Sequence, residues 1–238
     1  MMTYSSTRFR STRLGAPCLA AALLFTPGAQ AKDKPRTAPV PKPAGQYPAF
    51  DRHETEKVTV AAEPCSDPEK CKFFRLEYVQ HGFVPVWVII TNDRDQALTL
   101  DEVRIQYLPS EGDKIPAATD EDLNRRLFQG KNAIDKRLPI IPIPIKHTPV
   151  DQKITADDND FGFKSLVVAP HTTAAGYLFY DVRGVDDPVL KHAELYLRKI
   201  LTTDAKGDKV ELFGFTIPFD KWLAVQSKKS DSEKKESR

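Results

Sequence analysis

Glycine is scarce in this sequence: 11 residues among 238, spread thinly. No stretch gathers them into a phosphate-cradling loop, which excludes nucleotide binding through a glycine-rich turn. Gly-x-Ser-x-Gly and His-Glu-x-x-His are also absent, so the sequence carries no nucleophile elbow and no zincin helix. Charge of one sign is missing as well. The formal net charge is only +2, from 35 basic and 33 acidic residues. No strong field favours nucleic acid or an anionic membrane surface. Long apolar runs are lacking too. Leu14–Phe25 is well short of the roughly 20 residues needed to cross a bilayer.

That short run nevertheless has a meaning. Arg8, Arg10 and Arg13 precede it, and the small-x-small triplet Ala29–Ala31 follows it. This is the pattern of a secretory leader over residues 1–31. Cys18 is a poor lipid-anchor cysteine, because Pro17 stands where a small residue is wanted. A chain cleaved after Ala31 loses three arginines and no acid, leaving 32 basic against 33 acidic residues, a net charge of −1. The expected location is periplasmic or secreted, with no membrane span.

Of the three cysteines, Cys65 and Cys71 then remain. An oxidising compartment favours a disulfide between them. Closing so short a loop is worth roughly 2 kcal/mol in the chain-entropy picture. A zinc knuckle needs a second pair, which the chain does not have.

Composition divides the rest. Residues 32–56 read as a proline-rich linker, with five prolines between Lys34 and Pro48. Residues 224–238 are charged and nearly devoid of apolar side chains, and read as a disordered tail. The folded domain is expected over residues 57–223.

Within it, short alternating runs dominate. Lys57–Ala62 and Lys72–Val79 alternate, the latter with Phe74, Leu76 and Tyr78 on one face. Phe83–Ile90 is apolar on both faces, which predicts a central strand covered on both sides, with Trp87 filling the core between two sheets. Ala97–Leu108 alternates with Val103, Ile105 and Tyr107 inward. Phe161–Val168 and Gly176–Val182 add strands. Ala193–Thr203 and Lys209–Phe219 flank Asp204–Asp208 as a hairpin. One amphipathic helix is expected over Ala118–Lys131, capped by Thr119, with Leu123 and Leu127 on one face. Leu138–Val150 alternates proline with isoleucine, which suits an edge strand or a covering strap. The sum is a mainly β domain: an antiparallel immunoglobulin-like β-sandwich of seven to eight strands with one short rim helix.

PVWVIITNDRDQALTLDEVRIQYL (Pro85–Leu108) and VVAPHTTAAGYLFYDV (Val167–Val182) resemble segments of bacterial exported telokin-like, immunoglobulin-like domains. The similarity spans residues 57–218. It implies a non-enzymatic envelope domain, and it transfers no catalytic residue. Two departures stand out. Cys65 and Cys71 are too close to bridge two sheets, and Gly112–Val150 is a large insertion for a plain sandwich.

Chemistry has few footholds. Asp157, Asp158, Asp160 and His171 are the candidate metal ligands, although the stretch Thr155–Phe163 lacks the spacing of an EF-hand loop. With His147 they would form a metal-assisted hydrolase site, the alternative to a binding role. A proteinase inhibitor or an assembly chaperone is a further alternative. His53, His81 and His192 carry no motif. The expected function is a non-enzymatic binding or structural module of the bacterial cell envelope, without cofactor and with a protein partner. The candidate contact surface is Leu123, Leu127 and Phe128 on the helix, with Ile140, Ile141, Ile143 and Ile145 on the strap.

Overall fold

The structure is a computed structural model that describes residues 36–134, 149–204 and 206–236. Among the described residues, twelve strands form three four-stranded antiparallel sheets, accompanied by three α-helices. The first sheet joins β1 (Phe50–His53), β2 (Val58–Pro64), β3 (Phe83–Asn92) and β8 (Thr172–Asp181) in that order. The second runs β11 (Lys209–Glu211), β10 (Leu201–Thr203), β4 (Leu98–Thr99), β7 (Val167–Val168). The third runs β12 (Phe215–Pro218), β9 (Glu194–Arg198), β5 (Arg104–Leu108), β6 (Ile115–Pro116). The helices are α1 (Asp120–Ile134), α2 (Val150–Phe161) and α3 (Asp220–Glu236). The strand and helix counts therefore exceed the seven to eight strands and one helix expected from pattern alone.

β3 explains the layering. All ten of its residues are buried. Val84, Val86, Val88 and Ile90 join the larger core, which includes Tyr107, Leu195, Leu197, Phe215 and Ile217 from the third sheet. Trp87 and Ile89 point the other way, into a second cluster with Phe74, Tyr78, Leu123, Ile154 and Phe161. The first sheet is thus the middle layer, with strands on one side and helices and a turn segment on the other. The two-sided apolar pattern predicted a covered central strand, and the structure has one. Trp87, however, faces the helices and not the opposing sheets: alternation separates two faces without saying which cover each receives.

The expected hairpin is present, with Thr203 opposite Lys209 across the turn. Asp204 Oδ1 accepts the amides of Lys206 and Asp208 at 2.8 and 2.9 Å, an Asx-type turn lock. Its arms are longer than one sheet. The first bends near Lys199, whose φ is +61°, and passes from β9 to β10. The second, from β11 to β12, pairs with it on both sides of the bend.

Four other expectations need correction. Lys72–Val79 is a turn segment and not a strand, and only Val79–His81 is regular, as a 3-10 turn. Thr155–Phe163 is mostly helix α2 and not a loop. The linker ends earlier than residue 56, since Ala44 and Ala49 are buried and β1 pairs with β2 from Phe50 onward. The charged tail is helical through Glu236. Trp222 anchors its first turn in the core, and Ser227, Ser230 and Ser232 return their hydroxyls to carbonyls three residues back.

Tyr180 is fully buried and its hydroxyl has no hydrogen-bond partner among the described residues. Burial pushes its pKa upward, so it sits there as a neutral phenol bearing an unmet polar group. Removing such a group relieves its desolvation cost. Tyr180→Phe is expected to leave the urea midpoint unchanged or to raise it by the equivalent of about 1 kcal/mol. A clear fall in midpoint would contradict this account.

Candidate functional site

The acidic stretch of α2 has a structural partner. Asp157 is completely buried, and Arg75 is 3% exposed with Nη1 2.9 Å from Asp157 Oδ1. The amide of Arg75 donates to the same carboxylate at 2.9 Å, and the Tyr78 hydroxyl adds a third donor at 3.1 Å. Arg75 Nη2 reaches Asp160 at 2.6 Å, and Asp160 also accepts the amide of Arg36 at 2.9 Å. One guanidinium thus clamps two carboxylates one helical turn apart.

The electrostatics follow from that enclosure. Burial raises the Asp157 carboxyl above its ordinary value, against the bonds from Arg75 and Tyr78 that pull it down. Asp160 is lowered: burial opposes this, but the Arg36 amide and the Arg75 guanidinium outweigh it. Burial would lower Arg75, yet its two carboxylates hold it above its usual value. Burial, then the Asp157 charge, keeps Tyr78 protonated as a donor. The cluster ties the turn segment to α2 by ion pairing.

The residues singled out as metal candidates are therefore divided. Asp157 and Asp160 are on Arg75. Asp158 pairs with Lys164 at 3.0 Å near the surface. His171 lies in an exposed turn, with Nε2 3.0 Å from Asp95 Oδ1. His147 lies outside the described residues. Among the described residues no group of three or more histidine, cysteine, aspartate or glutamate side chains is placed to hold a metal ion. Among the described residues, Asp158 and His171 of the hydrolase constellation that the sequence raised each face a different partner, Lys164 and Asp95.

The candidate contact surface fares similarly. Leu123 and Leu127 are buried in the domain's own second cluster and are not offered to a partner. Phe128 follows on the same helix, and Ile140, Ile141, Ile143 and Ile145 lie outside the described residues. Val150 begins α2 and is buried. Cys65 and Cys71 are disulfide-bonded, and Cys71 and Phe74 carry the bond's segment into the same cluster.

Sequence reasoning missed two further groupings. His53 is half-buried with Nδ1 2.7 Å from Glu56 and Nε2 3.4 Å from Asp51, its ring stacked 4.0 Å from Phe215. Those carboxylates also accept the amides of Phe213 and Thr216, so the group seams β1 to the β12 region. The second grouping is a groove of about 470 Å³ at the open rim between β5, β6 and β8. Val103, Ile105, Pro116, Phe163, Leu166 and Leu178 supply its apolar lining. Arg104 and Gln106 line it as well. Leu166 is 64% exposed, and the neighbouring Val167 is also exposed. No local signal marks the groove, because its walls come from four separated segments. No family model, curated protein or solved structure matches the chain.

Proposed function

We propose that this chain is an exported, non-enzymatic module of the bacterial cell envelope, periplasmic or secreted, that works by binding. The observation that carries this reading is the apolar groove bounded by β5, β6 and the segment Phe163–Leu166. It falls within the roughly 300–1,000 Å³ usual for small-ligand sites, and it combines an apolar wall with a few polar groups. The disulfide is compatible with an oxidising compartment. Among the described residues, no helix is long and apolar enough to cross a membrane. The antiparallel, mainly β architecture is in keeping with the immunoglobulin-like, telokin-like lineage that Pro85–Leu108 and Val167–Val182 resemble.

The test is photocrosslinking in the expressing cell, with a photoreactive residue at Ser165 on the groove and a second version at Lys228 on α3. Intact mass after purification is the readout. A discrete adduct at Ser165 that is missing at Lys228, and lost with Leu166→Asp, is the expected result. Equal, featureless labelling at both positions would leave the groove without a ligand and the binding role without support.

A further inference from the structure

We infer that the groove is a site for a single-chain anionic lipid, a long-chain fatty-acid carboxylate, with its alkyl chain along the apolar wall and its carboxylate at Arg104. This deepens the binding role proposed above and rests on it. Two observations converge. The first is the lining. The groove is lined by Val103 and Leu178, both half-buried and packed against the main core. The lining also includes Leu166, which is exposed, and its neighbour Val167 is exposed as well. Such a lining suits a flexible alkyl chain.

The second observation is charge. Arg104 is exposed and sits directly opposite Arg198 in the β5–β9 register. Like charges placed face to face across antiparallel strands destabilise each other. Neither guanidinium has an ionic partner among the described residues. The nearby acids are otherwise engaged: Glu102 lies 3.7 Å from Lys199, and Glu211 accepts the Lys199 amide at 3.1 Å. Lys164, the other cation on the lining, pairs with Asp158 at 3.0 Å. The uncompensated positive charge on the lining is thus that of Arg104, and an anion bound there offsets the repulsion.

An apolar wall with one exposed, uncompensated guanidinium on the same lining matches an alkyl chain that ends in a carboxylate.

The experiment uses the purified mature chain with its disulfide intact, and fluorescence displacement of an anthroyloxy-labelled palmitate. Unlabelled palmitate, uncharged hexadecanol and acetate serve as competitors. Palmitate should compete best, hexadecanol about tenfold more weakly, and acetate not at all. Arg104→Glu should weaken palmitate by about tenfold or more and leave hexadecanol unchanged, while Arg104→Lys restores most of the loss. Leu166→Asp should weaken both alkyl competitors together. Both positions are exposed, so circular dichroism should report an unaltered fold. Absence of saturable palmitate binding, or palmitate binding indifferent to Arg104→Glu, overturns the assignment. If palmitate fails while the Ser165 adduct is still found in cells, the lipid assignment falls and the binding role stands. If both fail, both fall.

Discussion

Asp157→Ala is expected to lower the unfolding free energy by about 3–5 kcal/mol, the cost of breaking a buried ion pair from one side. The substitution leaves Arg75 at 3% exposure with its main counter-ion gone. It also strips the acceptor from the Arg75 amide and from the Tyr78 hydroxyl, each in a place water reaches poorly. Against a total stability of roughly 5–15 kcal/mol, such a loss brings the domain close to unfolding at ambient temperature. Urea titration with tryptophan fluorescence measures it, since Trp87 lies in the same cluster. Asp158→Ala is the internal comparison. Its ion pair with Lys164 is surface-exposed on both sides, and its loss should cost no more than about 1 kcal/mol. The double replacement Arg75→Met with Asp157→Leu removes the buried guanidinium and should recover the part of the loss due to that charge, while the residue-75 amide and the Tyr78 hydroxyl still lack their acceptor. Equal midpoints for Asp157→Ala and Asp158→Ala would mean that the clamp on α2 is not structural.

Gly176→Ala is the second large effect. A Cβ built at Gly176 would lie 2.3 Å from Phe163 Cα, 2.5 Å from Phe163 N and 2.6 Å from Gly162 O. All three are backbone atoms, so no side-chain rotation relieves the contact. The approach is close because Phe163 N donates to Tyr177 O at 3.1 Å, laying the exit of α2 across the edge strand β8. Overpacking ordinarily costs about 1–3 kcal/mol, and a clash with fixed backbone belongs at the upper end. The displaced segment also carries Phe163 and Leu166 of the groove. Gly176→Ala should therefore weaken palmitate binding as well as stability, whereas Tyr180→Phe should weaken neither. A chain with alanine at 176 and a wild-type midpoint would show that the crossing segment yields freely.

The candidate site was far less legible than the strands. Asp157, Asp158 and Asp160 attract notice as an acidic run, and hard oxygen ligands in a row suggest a cation. Their actual partner, Arg75, is 82 residues away from Asp157, inside a stretch that reads by alternation as a strand. That stretch is not a strand because the Arg75 amide bonds to a carboxylate and not to a neighbouring strand. Leu123 and Leu127 illustrate the same limit. An apolar helix face announces that something covers it, and here the cover is the domain's own Phe74, Ile154 and Phe161 cluster.

The sequence by itself determined what depends on neighbours along the chain. Alternation marked β3 as two-sided, the Asp204–Asp208 turn set the β10–β11 hairpin, and two cysteines six positions apart formed the short disulfide. The tertiary structure decided everything that needed a partner from elsewhere. It chose helices as the cover over Trp87, turned the acidic run into a buried clamp, and opened a groove among β5, β6 and β8 with Arg104 on its lining. The physical reason is that local backbone preferences act over a few residues, whereas burial and charge pairing act over ångströms of space, whatever the distance along the chain.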